Sequence, residues 1–128
     1  RQRQMCIRDS IIINEKMIEN VRHLEPKFMG GLKKFEDLEF IGESRGIGLM
    51  GALEMAQDKK KKIPFDGSIS IGERVANKCI ENGLICRPLG PSIVLCPPFI
   101  TTEEEMDIIF ETLEKTLKEV FSEVKSLG

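Results

Sequence analysis

Tryptophan and tyrosine are missing from this chain of 128 residues, and histidine occurs once, as His23. Without Trp or Tyr there is little on which to stack single-stranded bases. An excess of one charge is lacking too. Nineteen Lys and Arg stand against twenty-one Asp and Glu, a net charge of -2. That argues against a general nucleic-acid binder, whose footprint is a basic excess, and against a long acidic, disordered chain. No apolar run approaches the ~18 residues that a membrane helix needs, and Arg1–Ser10 contains no apolar stretch of the signal-peptide kind. Neither a nucleic-acid nor a membrane partner is therefore expected, and the expected compartment is the cytoplasm. The four cysteines, Cys6, Cys79, Cys86 and Cys96, include no Cys-x-x-Cys. With one histidine they do not supply the ligands of a structural zinc site. Reduced thiols are expected, with Cys79 and Cys86 as packing residues that have no partner to depress a thiol pKa.

What is present suffices for one domain. The apolar content is 41%, and a chain of this length buries about two thirds of its unfolded surface. Arg1–Ser10 has no clear period and joins abruptly to Ile11-Ile12-Ile13. It is expected to be a non-native leader, a tag or translated adapter, so residues 11–128 carry the fold. From Ile11 to Phe35, apolar residues recur at helical spacing, with a kink or break expected at Pro26 and weakening at Gly30-Gly31. Leu38–Arg45 reads as a strand entering a glycine-rich turn, Leu49–Met55 is ambiguous, and Gln57–Ser70 is a loop.

Ile71–Asn82 reads as a helix. Ile71, Val75, Cys79 and Ile80 share a face, and Gly83 stands where a left-handed cap belongs. Leu84–Arg87 and Ile93–Cys96 form a hairpin with Arg87 facing Val94. The unalternating Ile93–Leu95 is expected to be covered on both faces. The last helix opens with a capping box, Thr101 with Glu104 or Thr102 with Glu105. It carries a stripe of Met106, Ile109, Phe110, Leu113, Leu117, Val120, Phe121 and Val124. The order is helix, two strands, helix, hairpin, helix: an α+β fold in which helices cover one face of a small antiparallel sheet.

Three segments could carry chemistry. Gly46-Ile47-Gly48-Leu49-Met50-Gly51 matches Gly-x-Gly-x-x-Gly, the pattern of a dinucleotide-binding turn. Its alternative is a bend between two antiparallel strands, which the absence of a clear following helix and of a well-placed acidic residue favours. A free-standing dinucleotide-binding or protein-interaction module using Gly46–Gly51 stays as the alternative function. Lys59–Lys62 is a phosphate patch or a solvated loop, and the balanced charge favours the loop. Arg87 lies in an apolar strand directly before Pro88, which holds it extended. Its planar guanidinium either grips a carboxylate through two parallel bonds or snorkels over apolar neighbours.

Glu43-Ser44-Arg45-Gly46-Ile47-Gly48-Leu49-Met50-Gly51-Ala52-Leu53-Glu54 resembles a segment of the class III pyridoxal-phosphate aminotransferases. So do Gly83-Leu84-Ile85-Cys86-Arg87-Pro88-Leu89-Gly90 and the run from Ile93 to Asp107. Their order and spacing resemble the C-terminal small domain of that family, which belongs to the fold-type I transferases. The stretch around Arg87 is most similar to the amine–pyruvate ω-transaminases. The resemblance implies that the glycine pattern is a strand bend and that Arg87 binds the substrate carboxylate, swinging away when an apolar group enters instead. It implies the cofactor pyridoxal 5'-phosphate, held mainly by a large domain that also provides the lysine forming the Schiff base. No lysine here stands in that context, so neither catalytic nor cofactor-binding residues are assigned within this chain. The implied parent is a homodimer moving an amino group between an amine or ω-amino acid and pyruvate or another oxo acid. This chain is then a fragment, inactive alone.

Overall fold

Two glycine-led turns organise the sheet. The computed structural model describes residues 1–127. Strands β1 (Ile41–Ile47) and β2 (Met50–Met55) pair antiparallel, with Ile47 opposite Met50. Gly48 and Leu49 make the two-residue loop, and Gly48 has φ +59°. Strands β3 (Arg87–Leu89) and β4 (Ser92–Leu95) pair with Leu89 opposite Ser92, around Gly90 at φ +58° and Pro91. A positive φ at the first central residue alone is the type II′ geometry, which suits the twist of a hairpin. β2 also pairs with β4, so the strand order is β1-β2-β4-β3, antiparallel throughout.

The hairpin register expected from the sequence is the one observed, with Arg87 opposite Val94. The ambiguous Leu49–Met55 resolves into β2. Its alternation is clear: Gly51, Leu53 and Met55 are buried, whereas Met50, Ala52 and Glu54 are exposed or half-buried. Val94 is only half-buried, which corrects the expectation that β4 is covered on both faces. The helices pack against one side of the sheet and leave the row Arg45, Ala52, Val94, Arg87 on the other.

Four helices complete the fold: α1 (Gln2–Asn14), α2 (Met17–Lys34), α3 (Ile71–Glu81) and α4 (Glu103–Leu127). Residues 1–10, expected to lie outside the fold, form most of α1, which buries none of its side chains. The break expected at Pro26 falls instead at Glu15-Lys16, where Lys16 adopts φ +52°. α2 runs through Pro26. Pro26 is exposed, so the carbonyl deprived of its intrahelical donor can turn to water. Gly31 has a packing role, since a Cβ there would lie 2.5 Å from the Phe110 ring.

The core runs between α2, α3, α4 and the sheet. Phe28, Leu32, Leu53, Ile93, Val75, Leu113 and Leu117 are fully buried in it. The Phe40 ring meets those of Phe65 and Phe121 edge-on, each with centroids 5.2 Å away, and closes one end. The stripe on α4 is the expected one, with Ile109 and Phe110 half-buried. Of the two possible capping boxes, Thr102 with Glu105 forms. The Glu105 amide donates to Thr102 Oγ1 at 3.2 Å and the Thr102 amide to Glu105 Oε2 at 2.9 Å.

α3 ends as expected at Gly83, φ +88°. The Gly83 amide donates to Ile80 O at 3.0 Å and the Leu84 amide to Cys79 O at 2.8 Å, the paired bonds of a Schellman motif. Ile80 faces solvent rather than joining the buried face of α3. No helix is long and apolar enough to cross a membrane among the described residues.

Candidate functional site

The Gly46–Gly51 pattern is a hairpin and not a phosphate turn. No helix follows it. One of the two loop amides is taken internally, since Gly48 N–H donates to Glu25 Oε2 on α2 at 2.5 Å. Gly51 is glycine because α2 lies against it: a Cβ would meet Leu32 and stand 2.9 Å from Phe28 Cε1. Gly46 is enclosed by backbone, with Met50 O 2.5 Å from where its Cβ would be. Nothing in the sequence near the turn signals Glu25, which comes 23 residues earlier.

The lysine tract is a loop, but it is not uniformly solvated. Lys59 Nζ donates to Glu36 O at 2.7 Å and Leu38 O at 3.1 Å, tying the loop to the turn before β1. Asp58 Oδ1 accepts from the Lys60 and Lys61 amides, both at 3.0 Å. Lys60, Lys61 and Lys62 remain exposed. Beside this loop, Glu36 accepts from the Ser44 hydroxyl at 2.6 Å and the Ser44 amide at 2.9 Å. It also pairs with Lys33 at 2.6 Å. Lys33, then the two Ser44 donors, hold its carboxyl down at about 2.

His23 is an exposed α2 residue. Its Nε2 lies 3.1 Å from Glu103 Oε1 in a polar latch between α2 and the start of α4. In the same latch, Lys27 pairs with Asp107 at 2.9 Å, which raises the lysine's pKa. Asn20 Nδ2 donates to Phe99 O at 2.6 Å and Thr101 O at 3.1 Å. No group of three or more His, Cys, Asp or Glu side chains converges to hold a metal among the described residues.

Cys79 and Cys86 depart from expectation. Both are buried. Cys86, and then Thr116, lower the Cys79 pKa against the opposing effect of burial, whereas Cys79 and burial push that of Cys86 up. The expectation that neither has a partner able to depress its pKa is therefore corrected. The two residues are separated by the turn that closes α3, and spacing alone does not reveal the influence of one on the other.

Two arginines occupy opposite ends of the row on the uncovered sheet face. Arg45 is neutralised, with Nη1 3.0 Å from Glu54 and 3.5 Å from Glu43. Arg87 sits on the edge strand and is exposed, and no ion pair or side-chain hydrogen bond engages it among the described residues. Pro88, which has no amide to donate, suits that edge. Ile85 and Leu89, two residues either side of Arg87, are 85% and 62% exposed. The guanidinium is thus a free, permanently charged fork flanked by apolar side chains. A cleft of about 340 Å³ beside the β3–β4 turn is lined by Pro64, Phe65, Ser70, Ile71, Pro88 and Pro91 and does not include Arg87.

Residues 8–117 match the family described as Aminotransferase class-III. The chain belongs to the class III aminotransferase family. Among solved structures, an ω-aminotransferase from Paracoccus denitrificans is 59% identical with a TM-score of 0.87, over 89% of this chain and 25% of that one. The PMP-bound aminotransferase from Vibrio fluvialis is 56% identical with a TM-score of 0.87, again over 89% and 25%. Gamma aminobutyrate transaminase 1, mitochondrial, of Solanum lycopersicum is 38% identical over 111 residues, 87% of this chain and 22% of that protein. The chain therefore spans about a quarter of the length of these class III relatives, and its four-stranded antiparallel sheet with helices is a small domain of the class III fold.

Proposed function

We propose that this chain is the C-terminal small domain of an ω-transaminase dependent on pyridoxal 5'-phosphate. The whole enzyme moves an amino group between an amine or ω-amino acid and pyruvate or another oxo acid. Arg87 receives the carboxylate of the acid substrate. The observation that carries this reading is the contrast between the two arginines of the open face. Arg45 is already paired to carboxylates of its own chain, whereas Arg87 is exposed and unpaired. A guanidinium forms two parallel bonds to a carboxylate, stronger than neutral hydrogen bonds. Its flexible stem, rooted beside the exposed Ile85 and Leu89, can withdraw along apolar surface when a substrate brings an apolar group instead.

The cofactor acts as an electron sink in transamination, but the residues of this chain do not fit its attachment. No lysine is buried among the described residues. Lys27, Lys33, Lys78, Lys118 and Lys125 are paired with Asp107, Glu36, Glu81, Glu114 and Glu39, and Lys59 is bound to carbonyls. The sheet face carrying Arg87 is also open, and Arg87 itself is exposed. The reading therefore assigns the cofactor, its lysine and the opposite wall of the substrate site to the three quarters of the family's length that this chain does not span. It makes the isolated chain inactive and the intact enzyme a cytoplasmic homodimer.

The test is Arg87→Ala in the intact enzyme. Loss of a charge-assisted pair worth ~1.5–3 kcal/mol lowers kcat/KM for carboxylate substrates by about 10- to 150-fold. Simple amines should change little. Equal losses for both substrate classes would refute a selective carboxylate role.

A further inference from the structure

We propose that the outer edge of β1 is a pairing edge for a second copy of this chain, and that the Glu36 side chain keeps it closed. β1 pairs with β2 alone, so its other edge carries no strand. In a two-residue hairpin the residues flanking the loop exchange backbone hydrogen bonds, and every second pair beyond them does the same. Ile47, Arg45 and Glu43 therefore bond to β2. The amides and carbonyls of Gly46, Ser44 and Gly42 point away from it. A row of that kind is a template for another strand.

Glu36 stands at the middle of this row. Its Oε1 accepts from the Ser44 amide at 2.9 Å and from the Ser44 hydroxyl at 2.6 Å. An added strand would put its own carbonyl at that amide. Glu36 is anchored at both ends: Lys33 holds Oε2 at 2.6 Å, and Lys59 Nζ donates to the backbone carbonyl at 2.7 Å.

The sequence of β1 selects the occupant. Ile41-Gly42-Glu43-Ser44-Arg45-Gly46-Ile47 reads from either end as Ile, Gly, a charge, Ser, the opposite charge, Gly, Ile. A two-fold dimer joins one patch to itself, so residue i meets j and j meets i. Antiparallel pairing about Ser44 sets Glu43 against Arg45 of the second copy, and Arg45 against its Glu43. Both side chains are exposed, and opposite charges directly across a strand pair attract. A bulge between Ile41 and Glu43 bends one end of β1, so Glu43-Ser44-Arg45 is the centre of the join. This inference does not rest on the role given to Arg87.

The experiment compares the 128-residue chain with its Glu36→Ala variant by analytical ultracentrifugation at pH 7, with circular dichroism to establish that each is folded. The parent should sediment as one chain, and Glu36→Ala should reach twice that mass as concentration rises. Adding Arg45→Glu to Glu36→Ala sets like charges against each other twice across the join and should return the monomer. Adding Glu43→Arg as well restores opposite charges and should return the dimer. If Glu36→Ala fails to fold, Glu36→Asp, whose carboxylate is one methylene short of Ser44, carries the same comparison. A folded Glu36 variant that stays monomeric, a parent that dimerises as strongly as the variant, or a dimer that Arg45→Glu leaves intact would overturn the inference.

Discussion

A single added methyl group tests the packing account of the glycine-rich hairpin, because the fold gives it opposite signs at two positions. At Gly51 the new Cβ would overlap Leu32 and stand 2.9 and 3.0 Å from the Phe28 ring. Both of those side chains are fully buried and cannot retreat. Overpacking of this kind costs about 1–3 kcal/mol, and alanine returns about 0.5–1 kcal/mol of backbone entropy. The net loss is about 0–2.5 kcal/mol. An unfolding entropy of about 2.1 cal/mol/K per residue gives ~0.27 kcal/mol/K for this chain, so Gly51→Ala should melt up to about 9 °C lower. At Gly30, on the exposed side of α2, nothing lies within 4 Å of the new Cβ. Gly30→Ala should gain ~0.4–1 kcal/mol, a rise of about 1–4 °C. Thermal melts followed by far-UV circular dichroism, with both variants and the parent in one buffer, measure the difference. A Gly51→Ala chain melting above the parent, as Gly30→Ala should, would refute the close approach of α2 to β2. A nicotinamide dinucleotide that bound the parent chain but not Gly48→Val would return the motif to phosphate recognition.

Glu36 predicts an acid-side effect. Its folded pKa, about 2, lies below the ordinary 4.5, so its contribution is present above pH 4.5 and is lost as pH falls towards 2. Glu36→Gln should therefore be less stable than the parent at pH 7 and converge with it near pH 2; urea titrations that stay separated by the same amount down to pH 2 would remove this linkage. Thr102→Ala deletes the hydroxyl acceptor of the α4 capping box and should cost about 0.5–2 kcal/mol in urea unfolding, whereas Thr102→Ser should keep most of the stability. If the alanine variant matched the parent, solvation would be replacing the cap.

Much of the fold could be read from short-range signals. Gly83 after Asn82, the Thr102–Glu105 spacing and the Gly90-Pro91 tip each specify a local geometry, and each forms. The hairpin register that puts Arg87 opposite Val94 follows from the tip alone. The misjudged places are those where partners distant in sequence decide the outcome. Pro26 does not break α2, because its exposed face lets water stand in for the lost bond. Leu49–Met55 looked ambiguous because Gly51 contributes no side chain to the alternation, and only the approach of Phe28 and Leu32 explains it. Lys59 looked like its neighbours until Glu36 and Leu38 presented their carbonyls. At the candidate site the position of Arg87 was legible, whereas its lack of a partner, beside the paired Arg45, required the whole sheet.

The strand order β1-β2-β4-β3 makes the pairing of β2 with β4 a seam between two halves of the molecule. One half holds α2 and the first hairpin. The other holds α3, the second hairpin and α4. The backbone crosses from one to the other through the exposed lysines 60–62. A protease that cuts there severs the chain but none of the strand pairings. It also leaves intact the latch of Asn20, His23 and Lys27 on the start of α4. The protein is thus arranged as a natural split pair: two nicked pieces should stay together as one folded particle and part only in denaturant.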